Sequence, residues 1–220
     1  MKKINKKGFT LIELLAVIII LGVLMIIAIP SVTEYISNSR KSAFADSAVG
    51  YIDSTRNMVN QAQKVSFFDV NTLYLVPVGH DETLSCVSLE KGGVSPYSDT
   101  WDYAYVGVTY SGTSYNYYFI AKDGSNQGIN FVSQDELADK TGDLVVSGSN
   151  ELRNYDALKT QYAQKTTDKI YLMQAPDEGE GEVWTEPTTP DSVKSIAEVI
   201  SDAEGKTITQ IEIVAVDNCK

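Results

Sequence analysis

Glu13 is the residue whose type and position most demand a chemical explanation. It stands in KKGFTLIELLAVIII, four positions after Phe9 and inside an otherwise apolar run. On insertion scales a carboxylate costs about 2.5–3.5 kcal/mol at the centre of a membrane helix, and less near the interface. One chemistry open to it is pairing with a nearby cation, which offsets the desolvation of the charge. The alternative is a side chain that snorkels to the lipid headgroups.

Few other residues offer chemistry. Cys86 and Cys219 are the whole thiol inventory. With an exported segment at the front we expect them to be oxidised to one disulfide, against the alternative of two separate free thiols. His80 is the only histidine and lies in PVGHDET, which reads as a solvated loop. That removes two-histidine metal sites and paired imidazole catalysis. There is no GxSxG, no phosphate loop and no CxxC. Carboxylate pairs are common, but 29 acids make chance proximity expected, and glycosidase chemistry needs a cleft that the sequence does not announce. No enzyme is expected.

The elements that must position Glu13 are legible. Phe9 to Ile29 form a run in which only Thr10 and Glu13 are clearly polar. As a helix it reaches about 30 Å, the hydrocarbon thickness of a bilayer. Lys2, Lys3, Lys6 and Lys7 place the N-terminus on the cytoplasmic side. The run is longer than the apolar core of a cleaved signal peptide, and IAIPSVTEY offers no small-x-small site. Beyond it, Val32, Tyr35, Ile36, Ala43, Ala48, Tyr51, Ile52, Thr55, Val59 and Ala62 recur at helical spacing. One helix from about residue 9 to residue 63 follows, apolar all round in its first half and on one side in its second. Pro30 lacks an N–H and should kink it locally, while Gly22 permits close backbone approach.

Taken together, Lys6-Lys7-Gly8-Phe9-Thr10-Leu11-Ile12-Glu13-Leu14-Leu15, the apolar run through Leu24, and Ala28-Ile29-Pro30 resemble the processing signature of type IV prepilins and the related pseudopilins. The resemblance covers roughly the first 30–60 residues. It implies that residues 1–8 are a leader and that a membrane-bound prepilin peptidase cuts Gly8–Phe9 and N-methylates the new amine of Phe9. It implies that Glu13 contacts the Phe9 amine of a neighbouring subunit, and that the apolar helices leave the membrane and bundle into a filament core. It further implies that Gly22 and Pro30 bracket a part of the helix that loosens in the filament. Partners would be other copies, other pilins, the peptidase, an assembly platform and, before assembly, membrane lipid. The protein would be single-pass in the cytoplasmic membrane and later on the cell surface.

Residues 64–220 read as an α+β head. Residues 66–100 look like an irregular connector with one short strand. Tyr103–Tyr110, Tyr115–Ala121 and Gly128–Val132 alternate aromatic and β-branched residues around Gly/Ser turns, as in a three-stranded antiparallel meander. Packed on the amphipathic half of the helix, this sheet gives the core expected of a pilin head. Ser133-Gln134-Asp135-Glu136 is a capping box, and a strand is expected at Leu144–Ser147. A helix is expected at Asn150–Ala163, a strand at Lys169–Gln174, a helix at Ser192–Ala203 and a last strand at Thr207–Val216. Outside the first eight residues, 14 basic groups face 29 acidic ones, so this head should repel nucleic acid.

No cofactor is expected. Some relatives of the resembled family bind calcium, and DGSNQ and DEGEGE place oxygens on loops, but neither follows the spaced pattern of a calcium loop. Trp184 and the tyrosine-rich strands are simpler as core than as a carbohydrate surface. The leading expectation is a structural subunit of a type IV pilus. Its alternatives are a pseudopilin of a type II secretion or DNA-uptake machine and a single-pass anchored enzyme or binding module.

Overall fold

The computed structural model describes residues 9–61, 67, 69–79, 85–89, 95–148, 151–153, 169–171 and 191–219. Gly8, the four N-terminal lysines, Ala62, His80, Trp184, DEGEGE and most of the expected 150–163 helix lie outside them. The chain divides into two compact units, Met1–Arg40 and Lys41–Lys220.

The first unit contributes the start of helix α1, Leu11–Gln61. An 18-residue window of α1 reaches a mean hydropathy of 3.2 with none of it buried, so α1 is long and apolar enough to cross a membrane. Pro30 is accommodated inside it.

In the second unit the last part of α1 turns one side to a sheet. Phe44, Ala45, Ala48, Tyr51, Ile52, Thr55 and Val59 are buried, at spacings that keep them on one helical face. Val32, Tyr35, Ile36 and Ala43, expected on this stripe, are exposed instead. Helical spacing identifies a shared face, but only tertiary contact determines how much of it is covered.

The sheet runs β6-β5-β4-β3-β1-β8-β7. Its strands are β1 (Thr72–Gly79), β3 (Trp101–Tyr110), β4 (Tyr115–Asp123), β5 (Gln127–Ser133), β6 (Val145–Ser147), β7 (Lys169–Tyr171) and β8 (Gln210–Ile213). A two-residue β2 (Val87–Ser88) pairs in parallel with the end of β1. The expected meander is present as β3-β4-β5. Ser133 caps the short helix α2 (Gln134–Lys140), its hydroxyl accepting the Glu136 N–H at 3.2 Å.

Three features depart from expectation. The supposed connector contains β1, eight residues buried throughout and central in the sheet. TLYLVPVG shows no alternation because both its faces are covered. Pro77 is tolerated because its carbonyl faces Cys86, whose N–H it accepts at 2.8 Å. Its missing N–H therefore lies on that same edge, away from the β3 ladder. Second, the last strand is only Gln210–Ile213 and runs parallel to β1, so the sheet is mostly rather than wholly antiparallel. Third, the sheet is covered on both sides. Helix α3 (Asp191–Glu204) sets Ile196 and Ile200 with Leu73, Leu75, Tyr105, Ile120 and Ile211, opposite the α1 face of Tyr51, Val106 and Phe119. α3 ends where Gly205 takes a left-handed φ of +64°. The fold is α+β, a long N-terminal helix with a mostly antiparallel sheet.

Candidate functional site

Thr10 and Glu13 build the start of α1. The Thr10 N–H donates to Glu13 Oε2 at 2.8 Å, and the Thr10 hydroxyl donates to the same oxygen at 2.7 Å. The Glu13 N–H in turn reaches the Thr10 hydroxyl oxygen at 3.4 Å, and the Leu14 N–H bonds the Thr10 carbonyl at 3.3 Å. This is a capping box, with Thr10 as N-cap and Glu13 three residues on. The carboxylate also sits where the helix dipole favours negative charge. The hydroxyl-x-x-Glu spacing that marks the cap at Ser133–Glu136 is equally present in the sequence at Thr10–Glu13, and it is the signal that finds this cap.

The cap has a directional consequence. It folds the carboxylate back toward the N–H that immediately follows Phe9. Both Thr10 bonds fall on Oε2. Phe9 is 86% exposed.

The remaining expected positions behave differently. A Cβ built on Gly22 meets nothing within 4 Å, so packing within this chain does not require glycine there. Around Pro30, the Ser31 hydroxyl donates to the Ile27 carbonyl at 3.4 Å and the Thr33 hydroxyl to the Ile29 carbonyl at 2.8 Å. Cys86 and Cys219 are joined as a disulfide across 133 residues, with a Cα–Cα distance of 5.5 Å. The bond ties the chain after β1 to the short 3-10 turn at Val216–Asn218.

Two polar clusters in the head are structural. Asp123, from DGSNQ, is fully buried. Its carboxylate accepts the Ser95 hydroxyl and the N–H groups of Ser125 (2.8 Å) and Gln127 (2.9 Å), so it closes a turn rather than facing solvent. Glu204 accepts the hydroxyls of Thr109 and Tyr118 on one oxygen and meets Lys206 at 3.1 Å on the other. Burial pushes the Glu204 carboxyl up, but those hydroxyls and Lys206 bring it below its ordinary value. Burial and this carboxylate together push the Tyr118 hydroxyl well up. Beside Glu204 lies a recess of about 290 Å³ bordered by the start of β4 and of α2. Among the described residues no group of three or more His, Cys, Asp or Glu side chains converges as a metal site.

No curated protein and no solved structure matches this chain. A family model described as the prokaryotic N-terminal methylation motif matches residues 3–29. That segment contains Gly8, Phe9, the Thr10–Glu13 cap and most of the apolar run, and through it this chain bears the N-terminal signature of type IV prepilins and pseudopilins.

Proposed function

We propose that the protein is a structural subunit of a type IV pilus, inserted in the membrane as a prepilin and polymerised through α1 after processing. The observation that carries this reading is the methylation motif over residues 3–29, with Glu13 folded toward the chain start inside it. Hydrolysis of the Gly8–Phe9 bond creates an α-amine that is cationic near neutral pH, and methylation of that amine keeps the charge. Glu13 supplies the anion. With Oε2 committed to Thr10, the other side of the carboxylate receives the Phe9 amine of a neighbouring subunit. Such a pair relieves the desolvation of both charges in an apolar bundle, and losing one partner of a buried pair costs about 3–5 kcal/mol.

Gly22 fits this reading as a place where a neighbouring helix approaches closely. The exposed apolar surface of α1 is served first by lipid and then by other copies or other pilins. The acidic head is displayed outside the cell, with the chain's N-terminus cytoplasmic before cleavage. The second reading is a pseudopilin of a type II secretion or DNA-uptake machine, which would use the same N-terminal device.

Mass spectrometry of the mature N-terminus tests the shared step. N-methylated Phe9 is expected; an intact leader, or a cut near residue 30, would refute the prepilin reading. Electron microscopy of sheared surface filaments, with the subunit identified in them, then separates the two readings. Surface filaments containing this chain are expected for the pilin, and their absence favours the pseudopilin.

A further inference from the structure

In the head, β4 begins before its neighbour β5 can pair with it. The last pair between the two strands is Tyr118–Ser133. At Ser133 the chain leaves the sheet, because that hydroxyl caps α2. Tyr115, Asn116 and Tyr117 therefore pair with β3 on one side and, among the described residues, with no strand on the other. The gap is the recess of about 290 Å³ beside Glu204. α2, whose Leu137 joins the α1 side of the core, borders it from one face of the sheet. The end of α3 borders it from the other. Glu204 closes the recess but is itself already engaged, by the Thr109 and Tyr118 hydroxyls and by Lys206.

Other groups around it are not engaged. Tyr117 is only 7% exposed and borders the recess, yet its hydroxyl has no hydrogen-bond partner among the described residues. A buried polar group normally finds one. The Tyr115 hydroxyl, the Asn116 amide and the Asp135 carboxylate border the same space and likewise lack a partner among the described residues. Gln134 is fixed at one end, its Oε1 accepting Arg56 Nη2 at 2.6 Å, which leaves its amide NH2 as a donor. The rings are held as well. Arg56 lies 5.0 Å over the centre of the Tyr117 ring, and Tyr110 packs 5.1 Å from Tyr115. The unused donors and acceptors are therefore set in place before any ligand arrives.

Charge and polarity select the ligand. Among the described residues no lysine or arginine lines the recess, and the carboxylates of Asp135 and Glu204 oppose an anion. A cation finds its places taken, since Arg56 covers Tyr117 and Lys206 meets Glu204. An apolar ligand would strip water from phenol, amide and carboxylate groups and return no hydrogen bonds. A neutral polyol suits this mixture, because each of its hydroxyls both donates and accepts. We infer that the recess binds a neutral saccharide, one hexose-sized ring at a time. Asp135 accepts from the sugar hydroxyls, the Gln134 amide donates to them, and Asn116 and Tyr117 do both. The site lies wholly in the head, so it serves a pilin and a pseudopilin equally.

The test is saturation-transfer NMR on the full-length, disulfide-bonded protein in deuterated lipid bicelles. The probes are glucose, mannose, galactose and N-acetylglucosamine, which differ from glucose at one substituent each, with ethylammonium as the competing cation. At least one sugar is expected to saturate, with a dissociation constant on the order of 1–10 mM. Tyr117→Phe keeps the ring under Arg56 and removes one hydroxyl; it should weaken that sugar by about 2-fold to about 10-fold, the range for one hydrogen bond. Asn116→Ala should weaken it at least as much. Asp135→Ala, on the exposed rim, should weaken it without moving the urea midpoint, which separates lost binding from lost folding. Tyr35→Phe, on the exposed part of α1, should change nothing. Saturation by none of the four sugars overturns the inference, as does tighter binding of ethylammonium than of any sugar. A sugar that binds the three recess variants as well as the parent overturns it too, because its site would then lie elsewhere.

Discussion

In the first unit Ile20 and Ile26 are 60% and 73% exposed, whereas in the head Leu75 and Ile120 are sealed completely. The side chains are of the same kind; only their surroundings differ. The head buries its apolar groups against itself, with α1 residues on one face of the sheet and α3 residues on the other. The helix from Leu11 to Ile36 leaves its apolar surface to a solvent or partner outside the chain. Polar chemistry is distributed by the same logic. Asp123 and Glu204 close contacts within the head, while Glu13 bonds the neighbouring Thr10 at the exposed start of α1. Stability therefore resides in the second unit, and under the proposed reading assembly resides in the first.

The strongest way to break this contrast is Glu13→Ala. Processed, membrane-inserted protein at near-normal levels is expected, with filaments lost or strongly reduced by electron microscopy. Normal filaments would remove the assembly role from Glu13.

Next, the same kind of truncation should behave differently in the two units. Phe119→Ala, at 1% exposure in the head, is expected to cost about 3–5 kcal/mol in denaturant unfolding. Ile19→Ala, at 57% exposure, should leave the unfolding of the head unchanged. Equal effects would mean that the two units unfold as one.

Replacing Cys86 and Cys219 together by serine should cost the head about 2–5 kcal/mol, read as a lower midpoint in urea, while membrane insertion is unaffected. The loop closed by this bond is long, which places the chain-entropy contribution toward the upper end of that range.

The smallest effect concerns pH. The Glu204 carboxyl lies below its ordinary value in the folded head, so its stabilisation is present above the unfolded value of about 4.3. It disappears as pH falls through the lower folded value. Thermal unfolding of Glu204→Gln should accordingly lose less stability than the parent between about pH 5 and pH 3. Parallel curves over that interval would show that Glu204 is not coupled to folding.

The N-terminal methylation motif was legible because its determinants are local. Gly8, Phe9 and Glu13 stand within a few residues of one another at the head of an apolar run. The cap is local too, as Thr10-x-x-Glu13. The meander β3-β4-β5 was legible for a similar reason, since short turns set its register. β1 was not, because a strand covered on both faces loses the alternation that identifies strands. The Thr109–Glu204 and Tyr118–Glu204 bonds join residues 95 and 86 positions apart, and no local pattern marks such a meeting.

By itself, then, the sequence determined that a long apolar helix stands near the N-terminus, that four lysines and Gly8–Phe9 precede it, and that a carboxylate stands at a set distance inside it. Solvent preference and helical spacing are properties of the chain alone. The tertiary structure decided that β1 lies between β3 and β8, that α3 closes the second face, and that Cys86 reaches Cys219. Those outcomes depend on which distant segments meet. That choice is governed by the packing of two whole sheet faces against the entropy of long loop closure, which no short stretch of sequence contains.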